Sequence, residues 1–152
     1  MEAFDALGFV MEASGDDAAA LSFYKKAAEI NDARGASSAS PYVSLAAYYN
    51  RTGDTKVALE YAQKAVQLNP KSAGGNFQLA RALERQGQWA EAAEALNRAI
   101  AANPSASSYH YVLSGVYRRL GKTSEAQEQM EIFRKLEKDS TDFEQKRRES
   151  RR

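Results

Sequence analysis

Four glycines, Gly15, Gly53, Gly87 and Gly121, are each followed five residues later by an alanine: Ala20, Ala58, Ala92 and Ala126. The steps from Gly53 to Gly87 and from Gly87 to Gly121 are both 34 residues, and the step from Gly15 to Gly53 is 38. A period of this length marks a stacked repeat array, in which no single unit can bury its own apolar face. The copy between Lys71 and Ser105 shows what one unit contains. Leu79, Ala80 and Leu83 make one apolar face at helical spacing, and Gly87 interrupts it. Ala92, Leu96 and Ala99 then make a second face, and Pro104 stops it.

The same grammar runs through the rest of the chain. Residues 1–14 read as a helix with Phe4, Leu7, Gly8 and Met11 on one face. Gly15-Asp16-Asp17 makes a turn and supplies an N-cap, and Ala20, Phe23, Tyr24, Ala27 and Ile30 line the next helix. The stretch from Arg34 to Ala39 holds the four extra residues of the longer first step and is small and polar enough for a surface loop. Ser40-Pro41 reads as N-cap and first helical residue. Leu45, Tyr48 and Tyr49 face the core in that helix, and Ala58, Tyr61, Ala65, Val66 and Leu68 do so in its partner, which ends at Asn69-Pro70. In the last unit Leu113, Val116, Tyr117 and Leu120 precede Gly121, and Ala126, Met130, Phe133 and Leu136 follow it. The expected units are 1–38, 39–72, 73–106 and 107–138, with 139–152 as a basic tail or capping helix.

Charge and composition exclude more than they select. The 152 residues carry a formal net charge of +1, so no global field points to nucleic acid or membrane. The balance is uneven: residues 134–152 hold eight Lys/Arg against five Asp/Glu, while the first 133 hold thirteen against fifteen. Cysteine is absent, which removes disulfides and thiol catalysis and leaves the redox compartment open. No apolar run approaches the roughly 18 residues of a membrane span. The N-terminus carries Glu2, Asp5 and Glu12, which suits an amphipathic helix and not a secretion signal. Entering a helical pattern at once is what a segment of a longer protein would do. A complete chain would be expected in the cytoplasm, and a fragment leaves the location undetermined.

On these residues the chain resembles the tetratricopeptide repeat, whose pattern is W-x2-L-G-x2-Y, then A-x3-F, then P. The leucine recurs as Leu7, Leu45, Leu79 and Leu113. The small residue after it is Gly8, Ala46, Ala80 and Ser114, and the large one three further on is Met11, Tyr49, Leu83 and Tyr117. The closing proline stands as Pro70 and Pro104, with Asp32 and Lys138 in its place elsewhere. About 138 of the 152 residues are covered. The resemblance implies an all-α, right-handed α-solenoid of four antiparallel helix pairs with a C-terminal helical extension. Phe133 replaces the alanine seen as Ala27, Ala65 and Ala99, so a fifth ordinary repeat would not nest there. Thr141 with Glu144 fits a capping box, which would start a short helix covering Met130, Phe133 and Leu136 through Phe143.

No enzyme chemistry is expected. His110 is the only histidine and occupies the place of the family tryptophan, where packing is its expected role. Without a second histidine or any cysteine, neither a catalytic triad nor a usual zinc site can be assembled. Gly121-Lys122-Thr123 imitates the end of a phosphate-binding loop, but Gly115 lies one residue too far upstream and a helix, not a strand, precedes it. No cofactor or metal site is expected.

The resemblance implies instead that the first helix of each pair lines a concave channel accepting an extended or helical peptide. Its positions are Glu2, Asp5, Phe9 and Glu12; Val43, Ser44, Ala47, Asn50 and Arg51; Phe77, Gln78, Arg81, Glu84 and Arg85; and Ser108, Tyr111, Val112, Gly115, Arg118 and Arg119. The channel is acidic at its start and basic at its end. Phe77 and Tyr111 stand beside arginines, whose forked donors suit carboxylates while aromatic rings anchor apolar side chains. The expected partner is therefore a protein or peptide, acidic and with apolar anchors. Relatives that clamp chaperone tails use lysine and asparagine where this chain has Asp5, Phe9, Ser44, Gly74 and Gln78, which argues against that mode. Lys146-Arg147-Arg148 and Arg151-Arg152 lack interleaved aromatics, which weighs against nucleic acid. A non-enzymatic interaction scaffold is the leading expectation. The alternatives are a regulatory or docking arm of a larger enzyme, and head-to-tail self-association of an acidic first unit with a basic last one.

Overall fold

The computed structural model describes residues 2–35 and 37–150 and contains eight helices and, among the described residues, no strand. They are α1 (Glu2–Ala13), α2 (Asp17–Ala33), α3 (Ser40–Thr52), α4 (Thr55–Leu68), α5 (Ala73–Arg85), α6 (Trp89–Ala102), α7 (Ser107–Arg119) and α8 (Thr123–Glu149). Met1 of the expected first helix, Ala36 of the insertion, and Arg151 and Arg152 of the basic end lie outside the described residues. Each helix packs on its neighbours in sequence, giving four antiparallel pairs stacked as a right-handed solenoid. Among the first helices, α3 also touches both α1 and α5, so these helices line the tighter, concave side.

The turn glycines perform the task their spacing predicts. Gly15, Gly53, Gly87 and Gly121 sit at φ of 84°, 95°, 76° and 74°, a left-handed conformation that residues with a Cβ adopt only at a cost. Side-chain caps start some of the helices: at α2 Asp16 accepts from the Ala19 amide at 3.0 Å, and at α5 Ser72 accepts from the Gly75 amide at 3.0 Å. Small residues then set how closely the helices nest. Ala20, Ala58 and Ala92, and likewise Ala27, Ala65 and Ala99, are fully buried. At Gly8 even a methyl group is too large, because a Cβ there would lie 2.4 Å from the Tyr24 ring. Tyr24 cannot move aside freely, since its hydroxyl donates to Glu12 at 2.7 Å.

Four local expectations are corrected. Ala39, not Ser40, precedes α3 as its cap residue; the Ser40 hydroxyl is diverted to Asp5, donating to Oδ2 at 3.0 Å. The insertion is not all surface, for Ala39 is buried in the core of the first two units. Leu7 does not share the burial of Leu45, Leu79 and Leu113: it is 42% exposed, and among the described helices α1 packs on α2 and only slightly on α3. Finally, Thr141 starts no helix. It lies inside α8, a single 27-residue helix, and its hydroxyl donates to the Glu137 carbonyl at 2.9 Å. No glycine or proline interrupts α8, and Glu, Gln, Lys and Arg dominate it, so the helix propagates where the local hydroxyl alone would have capped. Phe143 is 67% exposed and covers nothing.

Where the closing proline is missing from the first unit, polar contacts replace it. Asp32 accepts a short hydrogen bond from the Tyr42 hydroxyl and pairs with Lys64 at 3.2 Å. The Lys64 ammonium also lies 4.2 Å over the Tyr42 ring, so α2, α3 and α4 meet at one cluster.

Candidate functional site

The concave side divides into a half whose polar groups are consumed internally and a half whose charges face open space. In the first half Arg51 bonds Glu12 at 2.7 Å and Asp17 at 2.7 Å, and its guanidinium lies 5.3 Å over the Tyr48 ring. It fastens α3 to the first unit. Asp5 is half-buried, accepts from Ser40, and leaves Oδ1 without a partner. Burial raises its pKa, against the opposing hydrogen bonds of Ser40 and Ser44. Asn50 is buried, and its amide donates to the Gln78 carbonyl at 2.9 Å and to the Gln78 side-chain oxygen at 3.0 Å. Both residues therefore join α3 to α5. Val43 lies against Gly74 and lines a separate hollow with Ser37, Ser38, Ser40, Asn69 and Ser72. Ala47 is half-buried in the same helix.

The second half is built differently. Arg81, Glu84, Tyr111, Val112, Gly115, Arg118 and Arg119 line one cavity of about 490 Å3, and Trp89 closes its wall. Arg81 and Arg85 come from the last two turns of α5, and Arg118 and Arg119 from the last turn of α7. Cations are favourable at both places because helix C-termini carry partial negative charge. Arg81 is held by Glu84 at 2.8 Å, while the Arg119 guanidinium lies 5.5 Å over the Trp89 ring. Three guanidiniums thus face one carboxylate across an aromatic wall. Tyr111 is 52% exposed and leans on Phe133 with ring centroids 5.3 Å apart. Gly115 leaves the floor open, since a Cβ there would touch nothing within 4 Å.

Of the residues expected to share the groove, the structure brings Arg81, Tyr111, Arg118 and Arg119 around this one cavity. Phe77 does not line it; it stacks on Tyr109 at 4.6 Å and bridges α5 to α7. Gln78 and Asn50 are taken up by each other, Arg51 by two acids, and Arg85 is exposed outside the cavity. Trp89 is not among the expected lining residues. Its signal in the sequence is faint: the chain's only tryptophan, opening a helix directly after the Gly87 turn.

His110 is buried between Pro104 and Gln129. Its Nε2 lies 2.9 Å from the Pro104 carbonyl oxygen and its Nδ1 lies 2.7 Å from the Gln129 side-chain oxygen. Both partners are oxygens that only accept, so the ring tautomer decides which of them the imidazole donates to. The ring packs and ties α7 to α8. Lys122 lies 5.6 Å over the Tyr117 ring, immediately after helix α7 and not after a strand. Among the described residues no three His, Asp or Glu side chains gather in metal-binding geometry.

The family model described as tetratricopeptide repeat matches residues 51–115. The comparison with curated proteins finds no match. Among solved structures, the chain is similar to TTC0263, a thermophilic TPR protein in Thermus thermophilus, with 26% identity and a TM-score of 0.76 over 90% of this chain and 74% of that one. It is also similar to a crystal structure of MamA, with 20% identity and a TM-score of 0.74 over 93% of this chain and 80% of that one. MamA from Desulfovibrio magneticus RS-1, residue 41 to the end, gives 20% identity and a TM-score of 0.73 over 91% and 76%.

Proposed function

This chain is a tetratricopeptide-repeat protein, and on that premise we propose that it is a non-enzymatic interaction scaffold whose concave groove holds an acidic segment of a partner protein. The fold is that of an interaction scaffold; the groove and the acidic partner are our reading. One observation carries it: Arg81, Arg118 and Arg119 converge on a single cavity with only Glu84 to oppose them, beside Trp89 and the exposed Tyr111. Guanidinium forks bind carboxylates with two parallel hydrogen bonds, and the aromatic wall gives a large apolar side chain somewhere to bury. A solvated basic face would need neither the aromatics nor the open floor at Gly115. Asn50, Gln78 and Arg51 contribute shape, not ligand contacts, because their own partners occupy them.

A peptide array spanning acidic segments with and without a neighbouring aromatic residue, followed by fluorescence anisotropy on the best binder, tests the reading. Arg81→Ala with Arg118→Ala is expected to weaken that peptide by about a kilocalorie or more, roughly fivefold or more in Kd. Replacing the peptide's carboxylates by amides should do the same, and raised salt should weaken both. An affinity indifferent to the two arginines would remove the proposal.

A further inference from the structure

The arginine cavity suits a segment with free carboxylates beside a large apolar side chain, and this chain itself contains one. Among the described residues, the exposed phenylalanines are Phe9 and Phe143, at 70% and 67%. The acids one turn either side of Phe9 are spent within the chain: Asp5 accepts from Ser40, and Glu12 accepts from Tyr24 and Arg51. Around Phe143 they are free. Residues 139–145 hold Asp139, Asp142 and Glu144 and no base. Asp139 and Asp142 make no ion pair among the described residues, and Glu144 only approaches Arg148, at 3.9 Å.

Helical spacing gathers these groups into one patch. Asp139 lies four residues before Phe143 and three before Asp142, so the three share one side of α8. From Glu137 onward the helix stands exposed over roughly 20 Å. Its own cavity is out of reach. Phe133 leans on Tyr111 at the edge of that cavity, with ring centroids 5.3 Å apart. Phe143 lies about 15 Å further along the same unbroken helix, so only another molecule can receive it.

From this match we propose that the groove of one copy receives the 139–145 stretch of α8 from a second copy of this chain. Phe143 packs against Trp89 and Tyr111, and Asp139 and Asp142 meet Arg81, Arg118 and Arg119. The second copy is a particular case of the acidic partner proposed above and rests on that reading. Lys146, one turn beyond Asp142, borders the patch, and Glu84 is the one acid in the cavity to face it. Two acids, one base and an aromatic ring thus meet three guanidiniums, one carboxylate and an aromatic wall. The groove and the side of α8 are different surfaces, so the contact is heterologous and need not close, and copies add as concentration rises. A few turns of helix in one cavity bury less than the roughly 1,200 Å2 of a stable interface, so the association is reversible.

Sedimentation velocity on the full chain from low to high micromolar concentration is the test, run beside anisotropy with the acidic peptide from the array. The average mass is expected to climb above 16.7 kDa with concentration and to fall back at high salt. Phe143→Ala with Asp142→Asn changes exposed side chains, so it should leave helicity and peptide affinity intact while weakening association by roughly tenfold or more. Arg81→Ala with Arg118→Ala should weaken association and peptide alike. A mixture of these two double variants keeps one intact groove and one intact α8. It should form a one-to-one complex at concentrations where each variant alone is a monomer. A chain that stays monomeric while the peptide still binds through the two arginines overturns self-docking and leaves the groove reading standing. A peptide indifferent to those arginines overturns both. Association that survives the Phe143 and Asp142 changes, or a mixture that forms no complex, also overturns self-docking.

Discussion

The side-chain amide of Asn50 donates to the main-chain carbonyl of Gln78 at 2.9 Å, joining the second unit to the third across the concave side. It also donates to the Gln78 side-chain oxygen at 3.0 Å, and Asn50 is buried, with a relative exposure of 5%. A residue so placed holds the groove's curvature and has no donor left for a ligand. Asn50→Ala should cost about 1–3 kcal/mol, the usual penalty for leaving buried polar partners unpaired. Urea denaturation should show a lower midpoint with an unchanged slope. Loss of peptide binding at full stability would instead make Asn50 a contact residue.

Two carboxylates should respond to pH with opposite signs. Burial raises the Asp5 pKa above its ordinary 3.8. The ionised form therefore destabilises the fold at every pH above the folded value, and the penalty fades as the pH falls through that value. Asp5→Asn should raise the melting temperature at pH 7, with the gain vanishing below 3.8. The Tyr42 hydroxyl and Lys64 lower the Asp32 pKa below 3.8. Its stabilisation is complete above 3.8 and is lost as the pH falls through the lower folded value. Asp32→Asn should therefore reduce the melting temperature at pH 7, and the deficit should close only in stronger acid. Thermal melts followed by circular dichroism across this range check both; melting temperatures that move in the same direction at pH 7 would contradict the assignment.

How much of this is legible in the sequence differs from residue to residue for physical reasons. Gly53, Gly87 and Ala92 are readable because each answers a local demand, a left-handed turn or a close helix approach, that few residues satisfy. Leu7 escapes such a reading because its burial depends on a helix outside its own pair, which no local pattern encodes. Thr141 escapes it because a hydroxyl can cap a helix or bond back within one, and only the uninterrupted run of helix formers around it decides. In the groove, spacing places Arg51, Asn50, Arg81 and Arg118 on the concave side alike. It cannot separate them, since whether an arginine is free depends on partners 34 to 39 residues away, such as Asp17 and Glu12 for Arg51. Trp89 is hidden because it belongs to a second helix, and only the stacking of units brings its ring to the mouth of a cavity lined mainly by first helices.

Trp89 also gives the groove a built-in reporter, since it is the only tryptophan in the chain and stands on the wall of the arginine cavity. In the free protein it is half-buried, with the Arg119 guanidinium 5.5 Å over its ring. A carboxylate arriving between Arg118 and Arg119 would draw that guanidinium off the ring, and an apolar side chain beside it would exclude water from the indole. Both changes alter the emission of Trp89 and of nothing else, because the tyrosines are silent under excitation selective for tryptophan. Titrating an acidic, aromatic-containing peptide should therefore shift the emission maximum to the blue and saturate with the Kd measured by anisotropy. Arg119→Ala should change the starting spectrum and flatten the response. Arg51→Ala, which loosens the first half of the groove, should leave the starting spectrum as it is. A peptide that binds by anisotropy and leaves Trp89 emission unchanged would place its site away from this cavity.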